Sequence, residues 1–87
     1  MTKEKCMRLD KFLKVSRLIK RRTVANAVSE MGRVLVNGTP AKPAKQLKIG
    51  DIIEIEYSNR TEKVEVLIIP TGNVSVQEAG SLYKEVN

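Results

Sequence analysis

From Met7 onward the chain alternates apolar and polar positions with the period of a helix. Leu9, Phe12, Leu13 and Ser16 follow the i, i+3, i+4, i+7 rule of one buried face. At about 100° per residue, Arg8, Lys11, Lys14 and Arg17 fall on the opposite side, so the first helix has an apolar face and a basic face. Asp10 is expected on the polar side as well, where it suits a helix start and can pair with Lys14 one turn later. Leu18, Ile19 and Lys20 form a short connection. Thr23 then stands where it can cap a second helix that carries Val24, Ala27, Val28 and Met31 on one stripe and stops at Gly32. Each helix is only about ten residues long, too short to be stable alone, so the stripes must pack on each other or on the rest of the chain.

The pattern then changes period. Arg33 to Val36 reads as a short strand, and Asn37-Gly38 is the strongest two-residue hairpin signal. The returning TPAKPAK contains Pro40 and Pro43, which cannot donate to a ladder, so it reads as an edge or an irregular arm with Lys42 and Lys45 exposed. After a turn at Gly50-Asp51, Ile53, Ile55 and Tyr57 alternate with Ile52, Glu54 and Glu56. Val64, Val66 and Ile68 alternate with Lys63, Glu65 and Leu67 in an antiparallel partner strand. Pro70, Thr71, Gly72 and Asn73 break the alternation. Beyond them Val76, Ala79, Leu82 and Val86 lie at helical spacing, with Gly80 weakening that reading. The pattern predicts an α+β fold: two short N-terminal helices packed on a small, mostly antiparallel, hairpin-rich sheet, with room for a short C-terminal helix. The expected organisation is a flexible N-terminus over 1–6, one binding domain over 7–70, and a tail over 71–87 that can be helical.

Eighty-seven residues suffice for one small domain. Charge refines this picture. Residues 1–45 hold 12 Lys and Arg against 3 Asp and Glu, whereas residues 46–87 hold 4 against 7. The first half therefore suits a polyanionic partner, nucleic acid or an anionic membrane surface. No apolar run approaches the roughly 18 residues of a spanning helix, and MTKEKCMRLD does not resemble a secretory leader, so a cytoplasmic protein without membrane partners is expected. Cys6 is the single cysteine and histidine is absent. An internal disulfide is excluded, a zinc or haem site has almost no ligands, and the commonest general base is missing. Ser16, Thr23 and Asp10 are better explained as helix-face and capping residues than as reactive groups. The expectation is a binding protein, not an enzyme, with no cofactor.

The chemistry concentrates in RLIKRRTVANAV, residues 17–28. Arg17, Lys20, Arg21 and Arg22 crowd against a helix start, where unpaired N–H groups and the positive dipole end favour Asp or Glu. A phosphate supplies the compensation: the N–H groups receive the anion and the arginines add charge-assisted hydrogen bonds. Phe12, Tyr57 and Tyr83 are the only aromatic residues, too few for a base-stacking platform, so folded RNA fits better than a single strand. A DNA-reading helix-turn-helix shares the outline, but the polar side of its second helix offers only Asn26, Ser29 and Glu30. The candidate RNA-binding residues are Arg8, Lys11, Lys14, Arg17, Lys20, Arg21 and Arg22, joined by Lys42 and Lys45.

The stretches RLDKFL, the basic connection with its RRT helix start, GRVLVNG and the later K-x-GD, spread over residues 7 to about 57, resemble the RNA-binding domain named after the fourth small-subunit ribosomal protein, the alpha-L RNA-binding motif. Within it, KVSRLIKRRTVA resembles the bacterial ribosome quality-control protein P group, relatives of the fifteen-kilodalton ribosome-associated heat-shock protein. The short tail with Glu78 and Glu85 departs from the longer basic extension of the heat-shock relative and favours the quality-control group. The resemblance implies a factor that binds stalled large ribosomal subunits carrying peptidyl-tRNA; a monomer is expected. Such a factor contacts 23S rRNA and the tRNA, and works with an elongation factor that adds a C-terminal alanine tail. It also implies RNA contacts at Arg8, Arg17 and Arg22. A general ribosome-rescue role like that of the heat-shock relative, and a helix-turn-helix DNA regulator, stand as alternatives.

Overall fold

The computed structural model describes residues 6–70 and 75–86. Of the N-terminal stretch 1–6 only Cys6, which is exposed, lies among them; residues 71–74 and 87 of the tail lie outside. In chain order the elements are β1 (Met7–Arg8), α1 (Leu9–Val15), α2 (Arg22–Glu30), β2 (Val34–Val36), β3 (Thr39–Pro40), β4 (Gln46–Leu47), β5 (Ile52–Glu56), β6 (Thr61–Val66), α3 (Val76–Ala79) and β7 (Tyr83–Glu85). Five strands form an antiparallel sheet in the order β3-β2-β5-β6-β7, and β1 pairs with β4 in a separate small ladder. Leu9, Phe12 and Leu13 of α1 share one core with Val34, Val36, Ile53, Ile55, Val64 and Val66 from the inner face of the sheet. The fold is α+β, as the change of period predicts.

Helix α2 lies differently from expectation. Its buried positions are Ala25 and Ser29, with Val28 half-buried, while Val24 is 46% and Met31 62% exposed. The stripe of larger apolar residues thus points largely outward. The smaller pair faces the core, where short side chains let a helix approach closely, and the Ser29 hydroxyl is satisfied by donating to the Ala25 carbonyl at 2.8 Å. Gly32, at φ 77°, ends α2 with its N–H on Ser29 O and the Arg33 N–H on Val28 O, each at 3.0 Å, the paired bonds of a Schellman stop.

The hairpin at Asn37-Gly38 has both residues at positive φ, the type I′ geometry that the dipeptide favours. Asn37 also ties this turn to the next. Its Nδ2 donates to Asp51 Oδ1 at 3.2 Å, and its Oδ1 accepts from the Ile52 N–H at 2.9 Å. Strand β6 ends at Val66, and there the alternation slips: Ile68 is 45% exposed and Ile69 is buried. The Leu67 and Ile68 N–H groups both donate to the Leu82 carbonyl, so the backbone leaves strand geometry and the next inward position moves by one residue. In the tail Ser75 caps α3, its hydroxyl accepting from the Glu78 N–H, but the helix closes at Ala79 and does not run to Val86. Leu82 drops into the core, and β7 adds to the β6 edge with Val64 opposite Glu85 and Val66 opposite Tyr83.

Candidate nucleic-acid interface

The surface is organised around an acid. Asp10 sits in the first turn of α1 with only 2% of its side chain exposed. Arg8 sets a fork on it, Nε to Oδ1 and Nη2 to Oδ2, both at 3.2 Å. The Lys11 N–H donates to Oδ1 at 2.8 Å, Asn26 of α2 donates to Oδ2 at 3.5 Å, and Arg22 Nε lies 3.6 Å from Oδ2. Burial alone would raise the Asp10 pKa. The hydrogen bonds from Arg8, Asn26 and the Lys11 amide, with the charge of Arg22, outweigh it and hold the carboxyl below its ordinary range. The expected pairing with Lys14 does not form; Asp10 faces inward between the two helix starts. Arg8 and Arg22 remain 45% and 50% exposed beside the buried acid.

The elbow between the helices holds the other cations. Helix α1 closes with the Ser16 N–H on Phe12 O and the Arg17 N–H on Lys14 O, and Arg17 itself takes φ 64°, a left-handed position usually left to glycine. Ile19 turns into the core, while Arg17, Lys20 and Arg21 are exposed. Helix α2 starts one residue before the expected cap. Arg21 is its N-cap, Arg22 its first residue, and no side chain caps it. The start of α1 is different, since its Leu9 and Asp10 N–H groups donate to Lys45 O at 2.8 Å and Pro43 O at 3.2 Å. The first-turn N–H groups of α2 are thus the ones offered outward, among three cations. Among the described residues no ion pair forms to Arg17, Lys20 or Arg21, nor to Lys11, Lys14 or Lys45.

The same backbone bonds lay the arm of residues 41–47 along the start of α1, where β1 and β4 pair Met7 with Leu47 and Arg8 with Gln46. Lys45 is thereby placed beside the Arg8 and Lys11 end of the basic face. Lys42 reaches Glu30 at 3.9 Å in an exposed pair that binds it weakly. Arg8, Lys11 and Gln46 rim a groove of about 450 Å³ whose other walls are Cys6, Met7, Ile69 and Pro70. The aromatic residues lie elsewhere. Phe12 is core, Tyr57 and Tyr83 pack half-buried on the sheet, and the Arg60 guanidinium sits 5.0 Å from the Tyr57 ring centre. Burial and the nearby Glu62 push both tyrosine hydroxyls up from their usual pKa.

Periodicity missed Asp10 and Asn26 as parts of this surface. The available signal was an isolated carboxylate in a helix whose other charged residues are all cations. Asn26, with its amide turned to Asp10, is not presented as a reader of base edges, which removes the best base-contacting residue of a helix-turn-helix. Among the described residues no helix is long and apolar enough to cross a membrane, and no three His, Cys, Asp or Glu side chains gather as a metal would need.

Comparison with known proteins matches residues 7–53 to the S4 domain family. The chain is 44% identical over 81 residues to the RQC P-site tRNA stabilizing factor of Streptococcus pneumoniae, covering 93% of this chain and 91% of that protein. It is 32% identical to a heat shock protein 15 homolog of Haemophilus influenzae, covering 94% of this chain but 63% of that one. In three dimensions it is similar to heat shock protein 15 of Vibrio cholerae, described as a trimeric structure, with a TM-score of 0.84, 33% identity, and coverage of 94% and 83% of the two chains.

Proposed function

We propose, from the premise that this chain belongs to the S4 domain family and groups with the RQC P-site tRNA stabilizing factors, that it is an RNA-binding factor of ribosome quality control. It binds stalled large subunits that carry peptidyl-tRNA, contacts 23S rRNA and the tRNA, and supports the alanine tailing of the nascent chain by a partner elongation factor. It acts as a monomer and by positioning, without bond chemistry of its own. The observation that carries this reading is the elbow: Arg17, Lys20 and Arg21 are exposed and, among the described residues, form no ion pair around a helix start that no side chain caps, while Arg8 and Arg22 flank them at the surface. Folding gains nothing from such a cluster, and a phosphate backbone fits both its charge and its free N–H donors.

The RNA-binding residues are Arg8, Lys11, Lys14, Arg17, Lys20, Arg21 and Arg22, with Lys45 extending the face along the arm and Lys42 contributing once its exposed pair with Glu30 opens. Identity favours quality control over the general rescue role of the heat-shock relatives, because the chain is 44% identical to the stabilizing factor and 32% identical to the heat-shock homolog. Gradient sedimentation of lysate tests the reading. The tagged protein should travel with large subunits bearing peptidyl-tRNA and leave them when Arg17, Lys20 and Arg21 are replaced by Ala. A protein that stays at the top of the gradient overturns it.

A further inference from the structure

A surface meant for an anion has no electrostatic use for a carboxylate, yet Asp10 stands in the middle of this one. Its burial explains how the cost is contained. The acid is inside and nearly inaccessible, while the two guanidiniums that it holds come from different elements, Arg8 from β1 and Arg22 from α2, and stay half exposed. The carboxylate is itself fixed, by the Lys11 amide on one oxygen and by Asn26 on the other. Arg8 uses its Nε–H and one Nη2 proton in the fork, which leaves three of its five N–H donors for an outside acceptor. Among the described residues the elbow cations Arg17, Lys20 and Arg21 have no such anchor.

We infer that Asp10 is a positioning residue: its buried carboxylate locks the Arg8 and Arg22 guanidiniums in one arrangement, so that the surface selects paired phosphates of a folded RNA over polyanions in general. The inference rests on the RNA-binding reading above and adds a division of labour. Unanchored cations supply attraction that any polyanion satisfies, whereas the anchored pair carries a fixed spacing that only a folded backbone meets.

The test uses the full chain, bulk tRNA as folded probe and heparin as unfolded polyanion, at several salt concentrations, with a thermal transition recorded for every variant. Asp10→Asn is nearly isosteric and raises the net charge by one. Simple electrostatics predicts tighter binding to both probes; positioning predicts tRNA binding weaker by about tenfold or more, with heparin binding unchanged or tighter. Arg8→Lys and Arg22→Lys keep every charge and alter only half-exposed side chains, so they decide the matter if Asp10→Asn does not fold. Each should weaken tRNA binding several-fold and leave heparin binding unaltered. Adding Arg22→Lys to Asp10→Asn should cost less than the two effects added together. Wild-type protein that binds tRNA, with the folded variants binding it equally well or better, overturns the inference alone. Wild-type protein that fails to bind tRNA overturns the RNA-binding reading as well.

Discussion

At the scale of single residues the most informative position is Arg17. A side chain at φ 64° costs about 1 kcal/mol relative to glycine at the same helix stop, and its packing does not repay it, since the residue is exposed and forms no ion pair among the described residues. Arg17→Gly should therefore raise folding stability by about 1 kcal/mol in chemical denaturation while weakening RNA binding and flattening its salt dependence by about 0.7 to 0.9 of a slope unit. A variant that loses stability would show that the arginine serves the fold. Asp10 leads to a prediction about pH. Its pKa is lowered on folding, so its charge stabilises the native state above the unfolded carboxylate pKa of about 3.9, and that stability is lost as pH falls below it through the folded value. Asp10→Asn should remove this part of the acid limb from a stability-against-pH curve; an unchanged limb would contradict it. Sequence exposed the charge of Arg17 but not its backbone strain, because the chain has no glycine there to mark the stop. The inward turn of Asp10 was hidden because the acid belongs to no apolar stripe, and its burial follows from the arginines that pair with it.

Elements were readable where one face is decisively apolar. Strand β5 buries Ile53 and Ile55 and directs Glu54 and Glu56 outward as alternation requires, and α1 buries the residues that its stripe names. Helix α2 misled because small Ala25 and Ser29 face the core while larger Val24 and Met31 do not, so the nearness of two backbones, which no hydropathy pattern records, outweighed side-chain size. The end of β6 misled for a related reason: the slip at Leu67 is dictated by one carbonyl of Leu82, fifteen positions along the chain. This yields a test of the slip. Ile69→Ala should cost about 2 to 5 kcal/mol as a buried truncation, and Ile68→Ala close to nothing. Unbroken alternation predicts the reverse order. The site depends on elements in the same way. The arm of residues 41–47 occupies the start of α1 and leaves the start of α2 for a ligand, a choice made by backbone hydrogen bonds over more than thirty positions.

For the whole molecule, the imbalance of charge along the sequence becomes a separation in space. From β1 through the elbow to α2 the chain carries Arg8, Lys11, Lys14, Arg17, Lys20, Arg21 and Arg22, the arm carries Lys42 and Lys45, and the sheet carries Glu54, Glu56, Glu62, Glu65 and Glu85 together with its own few cations, one of which, Lys84, is spent on Glu65 at 3.7 Å. That division was legible from composition, and the α+β class from the change of period; the docking of the tail as a fifth strand was not, because four residues at helical spacing also fit a turn followed by a strand. The separation leads to a prediction about the domain as a body. Among the described residues Arg17, Lys20 and Arg21 form no ion pair, and they repel one another beside the positive end of α2, so replacing all three with Ala removes repulsion from the fold and attraction from the surface. Thermal stability should hold or rise slightly, while the slope of log binding constant against log salt for folded RNA falls by about 2 to 3 units, close to one per lost phosphate contact. Replacing Arg60, Lys63 and Lys84 with Ala changes net charge by the same amount on the sheet half and should leave that slope nearly intact. Net charge alone makes the two triple variants equivalent, and equal slopes would show that RNA responds to the total charge and not to the elbow.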